Sequence, residues 1–140
     1  MSTSDPSPIG TPRFGDAGRT GRTRFSTSSG PFATRRCETF AGIALGALLS
    51  LGTSGSVTRV QTVVRHLVDV ASRGVAGEHI VCELWHDDRH VCVSVEELAG
   101  PAPTPADEPA LLEVDRLTED RGQYAGDRGG TVMWASVRIR

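Results

Sequence analysis

The most constraining feature of this 140-residue sequence is a change of hydrophobic period near its centre. Between Val57 and Ala71, apolar residues recur every three or four positions, as on the buried face of an α-helix. Between residues 78 and 97 the period is two, which is typical of β-strands with one buried face. A chain that combines both patterns is expected to pack helices against a sheet.

The segments on either side extend this pattern. A helix is predicted over the apolar run Phe40–Leu51, and the periodic helix that follows is capped by Ser56 and stopped by Gly74. A tight turn at Asp87-Asp88 joins the two period-two segments. It predicts a hairpin in which Ile80 pairs with Val95, Cys82 with Val93 and Leu84 with Val91.

The last part of the chain predicts one more helix and two more strands. Pro109 suits the first turn of a helix capped by Asp107 or Glu108, and Gly122 ends that helix. Strands follow from Tyr124 and over residues 131–139. The expected fold is an α+β two-layer sandwich: a mixed, mostly antiparallel sheet of about four to five strands with helices on one face.

The N-terminal region differs from this body in composition. Residues 1–32 are rich in Ser, Thr, Gly and Pro and are predicted to form a disordered, arginine-containing tail before a domain at 33–140. An arm for RNA or acidic membranes is the alternative. Residues 37–140 carry nine arginines and fifteen acidic residues, and this negative balance argues against direct DNA binding.

Cysteine usage and the first apolar run bear on location. Cys37, Cys82 and Cys92 are an odd number at unrelated spacings, which favours a reducing cytoplasm. Arg35-Arg36 before the run at 40–51 is similar to a twin-arginine export signal, so a small exported protein is the alternative. The run is too short for a transmembrane helix, which needs roughly 20 residues.

No independent catalytic motif emerges from the residues. The spacing of Cys82, His86, His90 and Cys92 matches no structural zinc pattern, and the hairpin register disperses these side chains. Glu96-Glu97 are adjacent strand residues that point to opposite faces, so they cannot flank one glycosidic bond.

Local sequences in the predicted order resemble one family. They are Ala33-Thr-Arg-Arg36, His66–Gly74, Val91–Glu97, Leu111–Leu117 and Gly129–Trp134. Together they resemble the small actinobacterial ATP-binding regulatory proteins of the GHKL (Bergerat-fold, histidine-kinase-like ATPase) superfamily, which are related to anti-sigma-factor serine kinases. The resemblance covers nearly the whole chain outside the tail.

The resemblance assigns the family's catalytic, metal-binding and lid positions to residues of this chain. Several of these residues are unsuited to the family's chemistry. The general-base glutamate of the family corresponds to His66, and its magnesium-binding asparagine corresponds to Val70. The sequence contains no asparagine at all, and valine cannot coordinate a cation that demands oxygen ligands. Glu108-Pro109-Ala110 stands where the family has lid glycines, so a carboxylate and a proline replace phosphate-binding amides.

Other positions keep a nucleotide-binding character. Glu97 corresponds to the adenine-recognising aspartate, and Gly129, Gly130 and Thr131 match the family segment near adenine. The resemblance therefore implies a degenerate member of the family. No metal or cofactor is expected, with ATP–Mg²⁺ binding at most weakly, and His66 is a doubtful catalytic residue.

The function that the resemblance implies is regulatory. We expect a cytoplasmic pseudoenzyme that binds a protein partner such as a sigma factor, an anti-sigma antagonist or a transcription regulator. We expect no direct DNA or membrane binding, while homodimerisation is an expectation from the relatives. The alternatives are a functional ATP-binding protein or weak serine/threonine kinase, and the exported α+β protein.

Overall fold

The structure, a computed structural model, describes residues 21–28, 32–49, 54–72, 79–87, 89–97, 105–126 and 130–139. Within these ranges, five strands form one sheet and three α-helices pack against it. A 3₁₀ turn at Pro105–Asp107 precedes the third helix. The elements in chain order are β1 (Gly21–Ser28), α1 (Ala33–Leu49), α2 (Ser54–Ala71), β2 (His79–His86), β3 (His90–Glu97), α3 (Glu108–Leu117), β4 (Asp120–Ala125) and β5 (Thr131–Arg138).

The sheet has the strand order β1-β2-β3-β5-β4, and all neighbouring strands in it are antiparallel. The predicted α+β class is confirmed. The sheet is antiparallel throughout its described strands, whereas the sequence predicted a mixed, mostly antiparallel one. Among the described residues, no helix is long and apolar enough to cross a membrane.

The main core lies between one face of the sheet and the helices. Alternate residues of β2, β3 and β5 enter it because successive side chains on a strand point to opposite faces. Residues of all three helices join the same cluster, including Leu45 of α1, Leu67 of α2 and Val114 of α3. The sheet contributes Ile80, Cys82, Leu84, Val91, Val93, Val95, Met133, Ala135 and Val137.

A second, smaller cluster lies on the opposite face of the sheet. It consists of Trp85, Cys92 and Trp134, which are all nearly fully buried. Within the described part of the chain, the indole N–H of Trp134 has no hydrogen-bond acceptor. Cys82 belongs to the main core and Cys92 to this cluster, so the two cysteines lie on opposite faces of the sheet.

The first strand is the largest departure from the predicted organisation. Residues 21–28 were expected within a disordered tail, but they pair with β2 along its whole length. Phe25 packs against the main core, and Thr27 is buried beside it. Backbone hydrogen bonds and this single aromatic therefore order a segment of polar composition. Residues 1–20 lie outside the described residues.

The β2–β3 hairpin keeps the predicted faces but not the predicted register. Cys82 pairs with Val95 and Leu84 with Val93, a shift of two residues along β3. The carboxylate of Asp87 explains the shift, because its Oδ1 accepts hydrogen bonds of 2.7 Å from the backbone N–H groups of both Arg89 and His90. The turn therefore lies one residue later than expected, and a two-residue slip preserves which side chains face the core.

The third helix ends earlier than predicted. It stops at Leu117, and Gly122, the expected stop, lies inside β4 opposite Trp134. Thr118 adopts extended backbone angles and its hydroxyl donates to the carbonyl of Val114, which closes the last turn. At the start of α3, Pro109 occupies the first turn behind Asp107, as predicted, although the Asp107 side chain makes no capping hydrogen bond.

An ion pair joins the end of α3 to β4. Arg121 donates to both carboxylate oxygens of Asp115, at 2.6 and 3.1 Å, and these hydrogen bonds hold the pKa of Asp115 below its usual value. A lowered pKa in the folded state gives stability at neutral pH that is lost as the carboxylate becomes protonated in acid.

We expect Asp115→Asn to lower the free energy of unfolding by about 0.5–1 kcal/mol at pH 7, because the pair is partly exposed. The difference from the wild type should begin to shrink as the pH falls below about 4 and disappear as the pH falls through the lowered pKa of folded Asp115. Urea denaturation at several pH values measures this, and a double-mutant cycle with Arg121→Gln isolates the pair. A difference that does not change with pH would contradict the assignment.

Candidate functional site

Three residues that the resemblance assigned to adenine binding meet at one end of the sheet. Glu97 is the last residue of β3, and it pairs directly with Thr131, the first residue of β5. Gly130 precedes Thr131, is buried, and accepts a 2.8 Å hydrogen bond from the N–H of Gly126. Gly129 lies outside the described residues. We name this end of the sheet, with Glu97, Gly130 and Thr131, the β3–β5 end.

The second helix runs toward this end. Arg59, near its start, donates a 3.0 Å hydrogen bond to the carbonyl of Arg138, which pairs with His90 at the far end of the sheet. The later turns of α2 therefore extend toward the β3–β5 end. Val70 in its last turn is only 7% exposed and belongs to the main core. The position assigned to metal binding is thus occupied by an apolar core residue.

His66 lies one turn before Val70 and is half-buried on α2. Its partner in the expected chemistry would be a metal-bound phosphate, and Val70 supplies no ligand for that metal. Among the described residues, no three His, Cys, Asp or Glu side chains are grouped so that they could hold a metal ion. The described surroundings of His66 therefore contain no group of metal ligands of the kind that phosphoryl transfer from ATP uses.

Acidic residues stand at the end of β3 and at the start of α3. Glu97 and Asp107 are each only 4% exposed, and Glu108 follows at the first turn of α3. The other end of α3 is tied to β4, where Arg121 donates to the carboxylate of Asp115. A carboxylate close to an anionic triphosphate would repel it, and more strongly in a partly buried site than in water.

The start of α3 is also poorly suited to binding phosphate. A helix N-terminus binds anions through backbone N–H groups that have no partner within the helix. Here Pro109 removes one of those N–H groups, and the carboxylate of Glu108 lies in the same turn. An acidic side chain is favourable against the helix dipole, so this charge stabilises the helix while opposing phosphate.

The histidines of the β2–β3 hairpin form a local ion-pair network. Nε2 of His90 lies 2.7 Å from Oε1 of Glu119, and its Nδ1 lies 3.7 Å from Oδ1 of Asp87. The hydrogen bond between Glu119 and His90 holds the pKa of Glu119 below its usual value, and Arg138 has a smaller effect in the same direction. These contacts link the hairpin to the α3–β4 connection, which gives His90 a structural role.

Two of the three cysteines interact, and a hydrogen bond from Cys82 lowers the pKa of the Cys37 thiol. All three are buried and none forms a disulfide. A hydrogen bond to Cys37, together with burial, raises the pKa of Cys82 well above its usual value. A buried thiol that stays protonated is neither a nucleophile nor a metal ligand at neutral pH.

Sequence reasoning missed a groove between β1 and α1. It has a volume of about 500 Å³, and its lining includes Thr23, Phe25, Arg35, Arg36, Phe40 and Ile43. The rings of Phe25 and Phe40 stack at its floor with centroids 5.0 Å apart. The alternation of Thr23, Phe25 and Thr27 was the available signal, but it lies in a segment whose composition predicted disorder. We call this feature the β1–α1 groove.

Searches with protein-family models and among curated proteins found no match to this sequence.

Proposed function

We propose that this chain is a regulatory protein of the GHKL, anti-sigma-factor kinase-like type, with a degenerate ATP site, and that it acts by binding another protein. The element order from α1 to β5 is the order expected for that family. One observation carries the proposal: Val70, at the metal-binding position, is packed into the main core. A functional site would need an oxygen ligand there to bind Mg²⁺.

The residues at the β3–β5 end support the same proposal. Glu97 and Thr131 remain neighbours, so the adenine-binding half of the site is retained in outline. The phosphate half carries Glu108 and Pro109 in place of backbone donors. The proposed protein therefore has the scaffold of a nucleotide-binding domain without its phosphate and metal chemistry, which leaves its surfaces for protein binding.

The kinase alternative predicts phosphoryl transfer, and a hydrolysis assay with γ-labelled ATP and Mg²⁺ separates it from the proposal. We expect release of phosphate at the rate of the protein-free buffer, and no labelled protein. Turnover that is lost in His66→Ala but kept in an exposed-surface control, Arg116→Ala, would overturn the proposal in favour of the kinase.

The proposed location is the cytoplasm, and the export alternative has a structural consequence. Cleavage between Ser54 and Val57 would remove β1 and α1, and with them Cys37, Ala41 and Leu45 of the main core. Mass spectrometry of the native N-terminus tests this directly. A chain that still contains α1 agrees with the proposal, whereas a mature start within 54–57 would overturn the location.

A further inference from the structure

The β1–α1 groove has a defined direction. Arg36 donates a 3.3 Å hydrogen bond to the hydroxyl of Thr27, and Phe40 stacks on Phe25 one turn later. The helix therefore runs antiparallel to β1, with Arg35 and Arg36 at one end of the groove and Ile43 at the other. Ile43 is 70% exposed, an unusual position for a large aliphatic side chain in the middle of a helix.

The strand that borders the groove is an edge strand of the described sheet. β1 pairs with β2 on one side and with no other described strand on the other. An edge of this kind presents backbone N–H and C=O groups to an extended peptide, and pockets beside it select alternate side chains. The groove lies where such alternate side chains would project, over Phe40 and Ile43.

The charges around the groove are positive. Arg24 on β1 and Arg35 and Arg36 on α1 are all exposed, and β1 contains no acidic residue. The acidic residue of α1, Glu38, lies 3.7 Å from Arg65 of α2, so its charge is directed to the other side of the helix. The rest of the chain is acidic, so this edge stands out as a local basic surface.

The positive charges around the groove distinguish between the kinds of molecule that could bind beside β1. A second copy added antiparallel along the whole of β1 would place Arg24 opposite Phe25 and would bring no carboxylate to Arg24, because β1 contains no acidic residue. An RNA or anionic lipid would match the charge but would leave the backbone groups of β1 and the apolar floor without complementary contacts. An acidic extended peptide satisfies the charges, the backbone groups and the apolar floor at once.

We propose that the β1–α1 groove docks an acidic, extended segment of a partner protein, which adds to the sheet as a strand beside β1. Arg36 and Ile43 are about 10 Å apart along the helix axis, and strand residues two apart are separated by about 6.7 Å. The segment therefore carries apolar side chains at two alternate positions, over Ile43 and Phe40, followed by a carboxylate at Arg35 and Arg36. This docking rests on the proposed function, for which it supplies the partner-binding surface.

The probe is the fluorescent peptide Glu-Thr-Val-Thr-Ile-Thr-Glu, which presents the same pattern in either direction. We expect saturable binding to the full chain, measured by fluorescence anisotropy, with a Kd on the order of 10–100 μM that weakens as salt is raised. A peptide with both Glu residues replaced by Lys should bind about tenfold more weakly or worse, because charge complementarity is lost.

Variants of the groove locate the binding. The double variant Arg35→Glu/Arg36→Glu should weaken binding by about tenfold or more, and Ile43→Ser by several-fold, roughly 3–10-fold. Arg116→Glu, an equivalent charge change on the exposed face of α3, should leave the Kd within about twofold. Thermal unfolding of each variant shows that the fold is kept, and the exposure of Ile43 makes Ile43→Ser informative even if the double variant is unstable.

Three results would overturn the docking proposal. The first is absence of saturable binding, and the second is equal binding by the wild type and Ile43→Ser. The third is a dimer in sedimentation experiments that Ile43→Ser dissociates, since this would make the groove an interface between copies. Tight ATP–Mg²⁺ binding would overturn the proposed function but leave the peptide result standing, so the two failures are distinguishable.

Discussion

Leu67→Ala is expected to lower the free energy of unfolding by about 2–5 kcal/mol, because it deletes most of a fully buried side chain and leaves a cavity. Leu67 lies on α2, the helix with the clear hydrophobic period between Val57 and Ala71, and its side chain is 0% exposed. A loss of this size is a large share of the stability of a small domain, which is about 5–15 kcal/mol. Urea denaturation followed by circular dichroism measures it.

Leu112→Ala is the matched control, since it removes the same atoms from a leucine of α3 that is 56% exposed. We expect a change within about 0.5 kcal/mol for this variant. If the two substitutions destabilise the protein equally, α2 does not occupy the position described between α1, α3 and the sheet.

Trp134→Ala is expected to lower the free energy of unfolding by about 3–5 kcal/mol, although Trp134 lies on the face of the sheet opposite the helices. It is 3% exposed and packs with Trp85 and Cys92. Trp134→Phe should lose less, about 1–2 kcal/mol, since it keeps most of the ring and removes a buried N–H that has no acceptor within the described residues.

Tyr124→Ala is the control for this face, because Tyr124 lies on the neighbouring strand β4 and is 37% exposed. The decrease in the free energy of unfolding for Tyr124→Ala should be well below that for Trp134→Ala. The sequence contains two tryptophans, and both belong to this cluster, so intrinsic fluorescence follows its unfolding directly. A Trp134→Ala variant as stable as the wild type would show that the second cluster contributes nothing to the fold.

The sequence predicted the interior of the fold better than its edges. The buried faces of α2 and β5 follow from their hydrophobic periods, because burial against a core acts on every third or fourth residue, or on every second one. The hairpin register could not be read this way. It depends on the hydrogen bonds that the carboxylate of Asp87 makes to Arg89 and His90, which leave no periodic trace.

The edge strand β1 and the end of α3 also could not be predicted from hydrophobic periods. β1 contains one large apolar residue, Phe25, and its stability comes from pairing with a strand about sixty positions later along the chain. Gly122 was predicted as a helix stop from its residue type, but it lies within β4, where it pairs with Trp134 of β5. Both features depend on contacts between residues distant in sequence.

The candidate site also has features that could be predicted from the sequence and features that could not. The adjacency of Glu97 and Thr131 follows from the pairing of β3 with β5. The β1–α1 groove was not predicted, because it needs β1 to be a strand. The roles that the resemblance gives to His66, Glu97, Gly129, Gly130 and Thr131 stay predictions that depend on whether nucleotide binds.

The central claim is that the nucleotide site is degenerate, and calorimetric titration of ATP with and without Mg²⁺ into the full chain tests it most directly. We expect no saturable, magnesium-dependent heat, with any Kd weaker than about 1 mM, because Val70 offers no metal ligand and Glu108 opposes the phosphates. Cooperative thermal unfolding of the same sample shows that the protein is folded. Binding of ATP at micromolar Kd that requires Mg²⁺, and that Glu97→Ala abolishes, would contradict the claim.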